Sequence, residues 1–238
     1  MPVITFPPLR SPTPKPLIYP WKQPFSIDPS CDLCLLPIRD DKWYDFSGKG
    51  NHGTIEGAIW TAKGRYGPAL YFDGINDYAT LGNDNSLNVG TGDFTLELFI
   101  KTATPSGFHR IYIKRAATWY DIYLYANILR SSIKDALAVT KEWVGPHTLD
   151  PTKTYHIVSV ADRDGYGILY VNAVPGTPVD ISGAQASLDN TADARIATYA
   201  PSTHPTECLI DAVRLYKRAL SPSEVKALYE QGLAIIAP

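Results

Sequence analysis

The segment over residues 69–82 constrains the fold most strongly, because it reads ALYFDGINDYATLG. An apolar run precedes the bend and a second strand-like run follows it, which predicts a strand, a tight turn and a strand. Gly74 tolerates a positive φ, and the short polar side chains of Asp73, Asn76 and Asp77 are typical turn formers. Three such side chains in one bend require either a metal ion or many backbone N–H partners.

Short runs of β-branched and aromatic residues recur along the rest of the chain. The clearest is residues 94–100, where a period of two predicts a strand with one face in the core. Asp-Gly at 164–165, between two such runs, indicates a hairpin. Strands are predicted over residues 33–38, 54–60, 69–73, 78–81, 94–100, 109–114, 118–125, 128–133, 154–161, 166–171, 194–199 and 208–216. Many short strands separated by turns predict an all-β fold of two antiparallel sheets.

One helix is predicted near the C-terminus, over residues 222–231. Ser221 is the candidate N-cap, and Glu224 three residues later completes a capping box. Gly232 stands where a C-cap belongs. The helix is expected to dock on the sandwich through its apolar stripe, Val225, Leu228 and Tyr229.

Residues 1–30 contain nine prolines. Proline lacks the N–H that a central strand needs and breaks helices, so an extended, polyproline-like arm is predicted before a globular domain at residues 31–238. Apolar side chains interspersed on such an arm require a surface to lie on. We expect the arm to bind other protein subunits through Phe6, Leu9, Ile18, Tyr19, Trp21 and Phe25.

Four segments, in order, carry a resemblance to a known family. FDGINDY at 72–78 looks like its signature, and DFSGKGNHGT at 45–54 resembles its opening loop. DFTLELFI at 93–100 resembles a central strand, and IDAVRLYKRALS at 210–221 resembles the closing strand and the step into a final helix. The chain thus resembles the laminin-G-like, concanavalin-A-like lectin and glucanase modules. The resemblance implies a jelly roll whose first and last strands are neighbours.

A calcium site is implied by the same resemblance, because calcium is common in these modules and takes about six to eight oxygen ligands. The candidate ligands are Asp73, Asn76, Asp77 and Asp211, with carbonyl groups from the loop at 47–53. The alternative is a hydrogen-bonded Asx turn without an ion. Where the family commonly has Phe-x-Gly-x-Ile-Asp, this chain has TECLID at 206–211, so the approach to Asp211 differs.

The three cysteines are Cys31, Cys34 and Cys208. Cys31-x-x-Cys34 has no second pair with which to complete a zinc site, so three free cysteines are one interpretation. The resemblance supplies another, because neighbouring first and last strands would bring Cys208 close to Cys31 or Cys34 for a disulfide.

Aromatic residues for stacking on a sugar ring are abundant, with fifteen tyrosines and five tryptophans. Trp119, Tyr120, Tyr123 and Tyr125 lie on one predicted strand. Most aromatics of a sandwich are expected in its core, whereas saccharide binding uses exposed ones. The candidate ligand-binding residues are Trp119, Tyr123 and Trp143.

The sequence shows no pattern typical of a hydrolase active site. A glycosidase needs two carboxylates facing each other, and neither Glu97 nor Glu142 has an acidic neighbour two residues away. Asp162 and Asp164 are two residues apart, but a predicted turn explains them. The motifs G-x-S-x-G and H-E-x-x-H are absent, and the five histidines are scattered. We therefore expect no catalytic residues and no enzymatic activity.

Charge and hydropathy limit the classes of binding partner that we expect for this chain. A net charge of −2 and a pI near 6.2 give no electrostatic reason to expect nucleic acid or an anionic membrane. No apolar run approaches the ~18 residues of a membrane span, so membrane insertion is not expected. The first residues lack the pattern of a signal peptide.

These observations favour a non-catalytic structural or decoration subunit of a large assembly such as a virion. The jelly roll would face outward, and the arm would anchor on neighbouring subunits. The alternative is a carbohydrate-binding, lectin-like module at a cell surface, with or without calcium, and a glycoside hydrolase is third. We expect the protein in a virion or another extracellular assembly, as part of an oligomer or larger complex.

Overall fold

The computed structural model of the protein describes residues 28–37, 41–65, 67–103 and 107–234. The predicted partner-binding residues of the arm lie outside the described residues; they are Phe6, Leu9, Ile18, Tyr19, Trp21 and Phe25.

Within these ranges the chain forms short strands, one 3₁₀ turn at Asn85–Leu87 and one α-helix. In chain order the elements are β1 (Cys31–Leu35), β2 (Lys42–Trp43), β3 (Gly53–Glu56), β4 (Ile59–Gly64), β5 (Gly67–Asp73), β6 (Tyr78–Gly82), β7 (Phe94–Thr102), β8 (Phe108–Arg115), β9 (Trp119–Tyr125), β10 (Ile128–Lys134), β11 (Thr140–Thr148), β12 (Tyr155–Ala161), β13 (Tyr166–Val171), β14 (Val174–Pro175), β15 (Val179–Asp180), β16 (Ala194–Ile196), β17 (Glu207–Tyr216) and α1 (Pro222–Ala234). In this described part, no helix is both long and apolar enough to cross a membrane.

The strands form two antiparallel sheets. The first sheet has the order β14-β13-β12-β7-β17-β5-β4, with β1 also paired to β17 and β15 to β13. The second sheet has the order β11-β10-β9-β8-β16-β6-β3-β2. The first and last strands pair directly, with Cys31 opposite Tyr216. The predicted two-sheet jelly roll with a C-terminal helix is confirmed.

A single core fills the space between the sheets, because side chains along a strand alternate between its two faces. Leu96, Leu98 and Ile100 of β7 point into this core from the first sheet. Tyr120, Ile122 and Leu124 of β9 point into it from the second. The residues between them on β9 therefore lie on the outer face of the second sheet.

Helix α1 covers the outer face of the first sheet. Ser221 and Glu224 form the predicted capping box, in which the Ser221 N–H donates to Glu224 Oε2 at 2.7 Å. Val225 is fully buried against Val158 and Val160, and Leu228 is partly buried there. The helix runs to Ala234, three residues beyond the predicted end, so Gly232 does not terminate it.

A charged cluster is buried on the face that α1 covers. Glu97 of β7 accepts hydrogen bonds from Arg214 at 2.8 Å, Tyr216 at 2.8 Å and His156 at 3.1 Å. The His156 ring stacks between Phe99 of β7 and Tyr229 of α1. The period of two predicted one buried face for β7, but both of its faces are buried.

One predicted strand is divided in the structure, and one long strand was not predicted. Residues 54–60 form two strands in different sheets, because the chain turns at Gly57 with a φ of +78°. Strand β11 was not predicted, since Gly145 and Pro146 interrupt its β-branched and aromatic pattern. It forms an edge of the second sheet.

Of the two interpretations of the cysteines, the one with three free cysteines holds and the disulfide alternative does not, since Cys31, Cys34 and Cys208 are all free and buried. Although β1 and β17 are neighbours, the cysteines face opposite sides of the first sheet. Cys208 packs in the core between the sheets, whereas Cys31 and Cys34 pack in the layer beneath α1. A register shift between Cys31 and Leu33 places both N-terminal cysteines in that layer.

Candidate functional site on the outer face of the second sheet

The bend at residues 73–77 satisfies its polar groups with its own backbone. Asp73 Oδ1 accepts N–H bonds from Ile75 at 2.8 Å, Asn76 at 3.3 Å and Asp77 at 3.4 Å. Asp77 Oδ2 in turn accepts from the Asp73 N–H at 3.0 Å. These backbone donors, that of Ile75 foremost, lower the pKa of Asp73, while burial raises the pKa of Asp77. The bend therefore has the many N–H partners that the sequence required in place of a metal.

Asp211 does not join this bend. On β17 the residue opposite Asp73 is Glu207, and Asp211 lies four residues further along. At about 3.3 Å per residue that is ~13 Å away. Asp211 Oδ2 instead accepts the Arg65 N–H at 2.5 Å. Asp73, Asn76, Asp77 and Asp211 therefore do not fit a single calcium ion as its ligand set.

The three predicted saccharide-binding aromatics separate into two groups. Trp119 and Tyr123 are four residues apart on β9 and point to the outer face of the second sheet with Tyr125; Trp119 is partly exposed and Tyr125 is 48% exposed, whereas Tyr123 is buried. Trp143 was wrongly predicted, because it lies on the inner face of β11 and is fully buried. Its indole N–H donates to Ser159 Oγ at 3.1 Å inside the core, so no ligand can stack on it.

Trp119 lies in a row of three side chains across β8, β9 and β10. It is opposite Arg115 on one side and Lys134 on the other. The Arg115 guanidinium carbon is 3.7 Å from the indole centroid, and Lys134 Nζ is 5.1 Å from it. The indole N–H donates to Ser132 Oγ at 3.1 Å, which fixes the ring on the sheet. Two cations are thus held beside one half-exposed tryptophan.

The next row places two carboxylates on either side of Ser132. Asp121 of β9 and Glu142 of β11 are both paired with that residue in the sheet register. Asp121 is fully buried; it receives the Ser132 hydroxyl at 2.7 Å and forms an ion pair with Arg110. Burial raises the pKa of Asp121 to about 6 against the lowering effect of Arg110. Asp121 therefore orients its neighbours from below the surface.

The third row is built on arginine and aromatic rings. The Arg110 guanidinium carbon lies 4.3 Å from the Phe108 centroid and 4.8 Å from that of Tyr123. Glu142 forms an ion pair with Arg130 and accepts the Tyr123 hydroxyl. The pKa of Tyr123 is raised, mainly by burial and secondly by the hydrogen bond to Glu142. Phe108 continues the stack toward the exposed Tyr125, with centroids 5.8 Å apart.

These rows form one surface, which we call the aromatic–cation face. Its cations outnumber its carboxylates, although the whole chain carries a net charge of −2. The members of the aromatic–cation face are Phe108, Arg110, Arg115, Trp119, Asp121, Tyr123, Tyr125, Arg130, Ser132, Lys134 and Glu142.

A family model described as the concanavalin A-like lectin/glucanases superfamily matches residues 73–226. The chain belongs to this superfamily. The match spans the aromatic–cation face, the strands of the first sheet from β7 to β17 and the first five residues of α1. The resemblance that the sequence motifs indicated is therefore confirmed.

Solved structures share the superfamily fold at low sequence identity. The binding domain of Paraclostridial Mosquitocidal Protein 1 matches with a TM-score of 0.75 and 18% identity, over 86% of this chain and 53% of that one. The botulinum neurotoxin serotype G binding domain matches with a TM-score of 0.69 and 16% identity, over 84% and 51%. The serotype D ligand binding domain, solved with N-acetylneuraminic acid, gives 0.70 and 14%, over 85% and 51%. The chain thus spans about half the length of these domains. No curated protein matches.

Glucanase chemistry, which the superfamily's name includes, needs two carboxylates that reach a substrate from opposite sides. On this face the two are Asp121 and Glu142, two strands apart, or ~10 Å between Cα atoms. Asp121 has no exposed side-chain surface, and both carboxylates are engaged by arginines. Neither is presented as a free acid or base on the surface.

Sequence reasoning missed two features. Arg115 and Lys134 read as ordinary charged residues at the ends of strands, and only the pairing of β8, β9 and β10 brings them to Trp119. Asp93, Asp162 and Asp164 place carboxylate oxygens within 4.8 Å of one another. The turn accounts for Asp162 and Asp164, but their approach to Asp93 depends on how the loops meet.

Proposed function

We propose that this chain is a non-catalytic binding module and that its ligand is a saccharide, bound on the aromatic–cation face. The observation that carries this proposal is the row of half-exposed and exposed rings on one open sheet face, surrounded by fixed hydrogen-bond donors. The outer face of the first sheet is covered by α1, so the second sheet supplies the open broad face.

The chemistry of the face suits a sugar. Aromatic rings stack on the C–H surface of a pyranose, and polar groups held in place select its hydroxyl groups. Trp119 is fixed by its hydrogen bond to Ser132, and Phe108 and Tyr125 continue the accessible rings along the strands, while Tyr123 is buried and supports Phe108 by stacking against it. Side chains fixed in this way lose little conformational entropy when a ligand binds.

The absence of a presented acid–base pair supports a binding rather than a hydrolytic function. A retaining or inverting mechanism requires a proton donor that contacts the glycosidic oxygen. Asp121 carries the raised pKa that such a donor needs, but it lies beneath Ser132 and Arg110. We therefore assign Asp121 to holding the face together.

A glycan array tests the proposal directly. The full chain is labelled and applied to an array of neutral and acidic oligosaccharides, and binders are then measured by titration calorimetry. Trp119→Ala and Tyr125→Ala are expected to weaken binding at least about tenfold each, since stacking on an aromatic contributes on the order of 1 kcal/mol or more. Tyr166→Ala is the matched control, because Tyr166 is an exposed tyrosine of the first sheet.

Two results would contradict the proposal. One is an array on which the wild-type chain binds no saccharide. The other is saccharide binding that Tyr166→Ala weakens as much as Trp119→Ala does. Release of reducing sugar from a bound oligosaccharide would instead favour the hydrolase.

A role in a larger extracellular assembly such as a virion is a separate proposal, supported by the proline-rich arm. Residue Asp28 marks where the arm meets the domain: it forms an ion pair with Arg218 at 2.5 Å and accepts the Ser30 hydroxyl at 2.6 Å. These contacts lower the pKa of Asp28 to about 2, with the Arg218 hydrogen bond as the largest cause. In this proposal the arm attaches to neighbouring subunits and the jelly roll binds glycans.

A further inference from the structure

We infer that the aromatic–cation face selects an anionic saccharide, one bearing a carboxylate or a sulfate group, and that Arg115 and Lys134 bind that group. The inference rests on the proposed function and adds to it the class of sugar and the residues that discriminate it.

Arg115 is oriented so that the N–H groups on the edge of its guanidinium are available to a ligand. Its guanidinium group stacks on Trp119 at 3.7 Å and lies 5.9 Å from the ring centroid of Tyr199, which is 37% exposed. A guanidinium that stacks by its face keeps the N–H groups of its edge free for bidentate bonding to a planar or tetrahedral anion. The two rings therefore orient the group without consuming its hydrogen-bond donors.

Lys134 supplies a second charge on the same tryptophan. Its Nζ atom is 5.1 Å from the Trp119 ring, on the strand opposite Arg115. Both cations are partly exposed. An anion near the indole would therefore meet a fork of donors from one side and a point charge from the other.

The other two cations of the face are each neutralised by a carboxylate. Arg110 forms an ion pair with Asp121, and Arg130 forms one with Glu142. Among the described residues, neither Arg115 nor Lys134 has a carboxylate within ion-pair distance. The four cations of the face exceed its two carboxylates by two charges, on a chain whose net charge is negative, and the buried Asp121, already paired with Arg110, interacts with Arg115 only at longer range.

Carboxylated and sulfated sugars share the chemistry that such a site recognises. Each offers two or more oxygens to the guanidinium fork and a pyranose ring to the exposed aromatics. A neutral sugar would leave Arg115 and Lys134 without a charged partner, so the anionic form of an otherwise similar sugar should bind more tightly.

Titration calorimetry on the full chain tests the inference with three probes: a heparin hexasaccharide, a galacturonate oligosaccharide and a neutral galacto-oligosaccharide of matched length. Galacturonate carries carboxylates alone and heparin carries both carboxylates and sulfates, so binding of heparin without binding of galacturonate assigns the recognised group as sulfate. We expect at least one of them to bind about tenfold or more tightly than the neutral probe. Its affinity should also fall with salt, since ion pairing is screened.

Arg115→Gln and Lys134→Gln should each lower the affinity for the anionic probe about tenfold and lower the affinity for the neutral probe by clearly less, so that the preference for the anionic probe shrinks. Arg115→Lys keeps the charge but loses the fork and is expected to lie in between. Lys226→Gln is the control, because Lys226 is an exposed lysine of α1. Circular dichroism of each variant confirms that it is folded.

Equal affinities for anionic and neutral probes would overturn the inference and leave the saccharide proposal standing. Tight anionic binding that Arg115→Gln and Lys134→Gln do not weaken would overturn it as well, because the anion would then bind elsewhere. Failure of all three probes, together with an empty glycan array, would refute both.

Discussion

Replacing Glu97 by Gln tests the buried cluster that joins the first sheet to α1. Glu97 is fully buried and accepts bonds from Arg214, His156 and Tyr216. Burial alone would raise the pKa of its carboxyl, but the Arg214 charge and the His156 hydrogen bond outweigh it and lower the pKa from 4.5 to about 2. At about 1.36 kcal/mol per pH unit, this difference corresponds to ~3 kcal/mol of stabilisation.

Proton binding determines whether the stabilisation by Glu97 rises or falls with pH. Below pH 4.5 an unfolded chain binds a proton at this residue more readily than the folded chain does. The contribution of Glu97 is therefore fully present above about pH 5 and is lost as the pH falls toward 2. Glu97→Gln leaves Arg214 buried without its counter-charge, so the loss at pH 7 should reach about 3 kcal/mol.

Urea unfolding of the wild type and of Glu97→Gln, repeated between pH 7 and pH 2.5, measures both effects. The variant should be less stable at pH 7, and the difference should shrink as the pH falls. Glu56→Gln, at an exposed position of β3, is the matched control. A loss below about 1 kcal/mol with an unchanged pH dependence would show that Glu97 does not stabilise the fold through its ion pair with Arg214.

Three further predictions concern the helix, the bend and the arm. Val225→Ala should cost about 1.5 kcal/mol in urea unfolding, from two buried methyl groups, whereas Lys226→Ala should cost little; equal effects would show that α1 is not docked as described. Because the polar groups of the bend at 73–77 are hydrogen-bonded to its own backbone, a chelator should leave the melting temperature unchanged. A decrease in melting temperature that Asp73→Ala abolishes would instead indicate calcium at the bend, and a decrease that Asp164→Asn abolishes would indicate an ion at Asp93, Asp162 and Asp164. Deleting residues 2–26 should leave a folded jelly roll with the Asp28–Arg218 contact intact and should remove attachment to any assembly, as measured by circular dichroism and sedimentation; an unfolded product would place the arm in the core of the domain.

Elements with a strong local pattern could be predicted from the sequence. The alternation in residues 94–100 correctly predicted β7, and Ser221 with Glu224 correctly predicted the start of α1, because both signals act within a few residues. Aromatics separated by an even number of residues, such as Trp119 and Tyr123, share a face of a regular strand. Their common surface therefore followed from the local sequence.

Other features depend on which segments meet, and the local sequence does not contain that information. Glu97 is buried because α1 returns over the first sheet more than a hundred residues later. Trp143 points inward because the register with β10 places it opposite Ser131, on the core side. Cys208 is separated from Cys31 by the thickness of a sheet, which the neighbourhood of their strands does not reveal.

The most direct test of the proposed binding face compares two tryptophans within one molecule. The indole N–H groups of Trp119 and Trp143 each donate to a serine hydroxyl at 3.1 Å, but only Trp119 lies on the aromatic–cation face. The measurement is a titration of ¹⁵N-labelled protein with the tightest saccharide from the array, following the indole N–H resonances assigned with Trp119→Phe and Trp143→Phe. The Trp119 resonance is expected to shift in proportion to saturation, while that of Trp143 stays in place. A ligand that saturates the protein without moving the Trp119 resonance would show that saccharides do not bind on the aromatic–cation face.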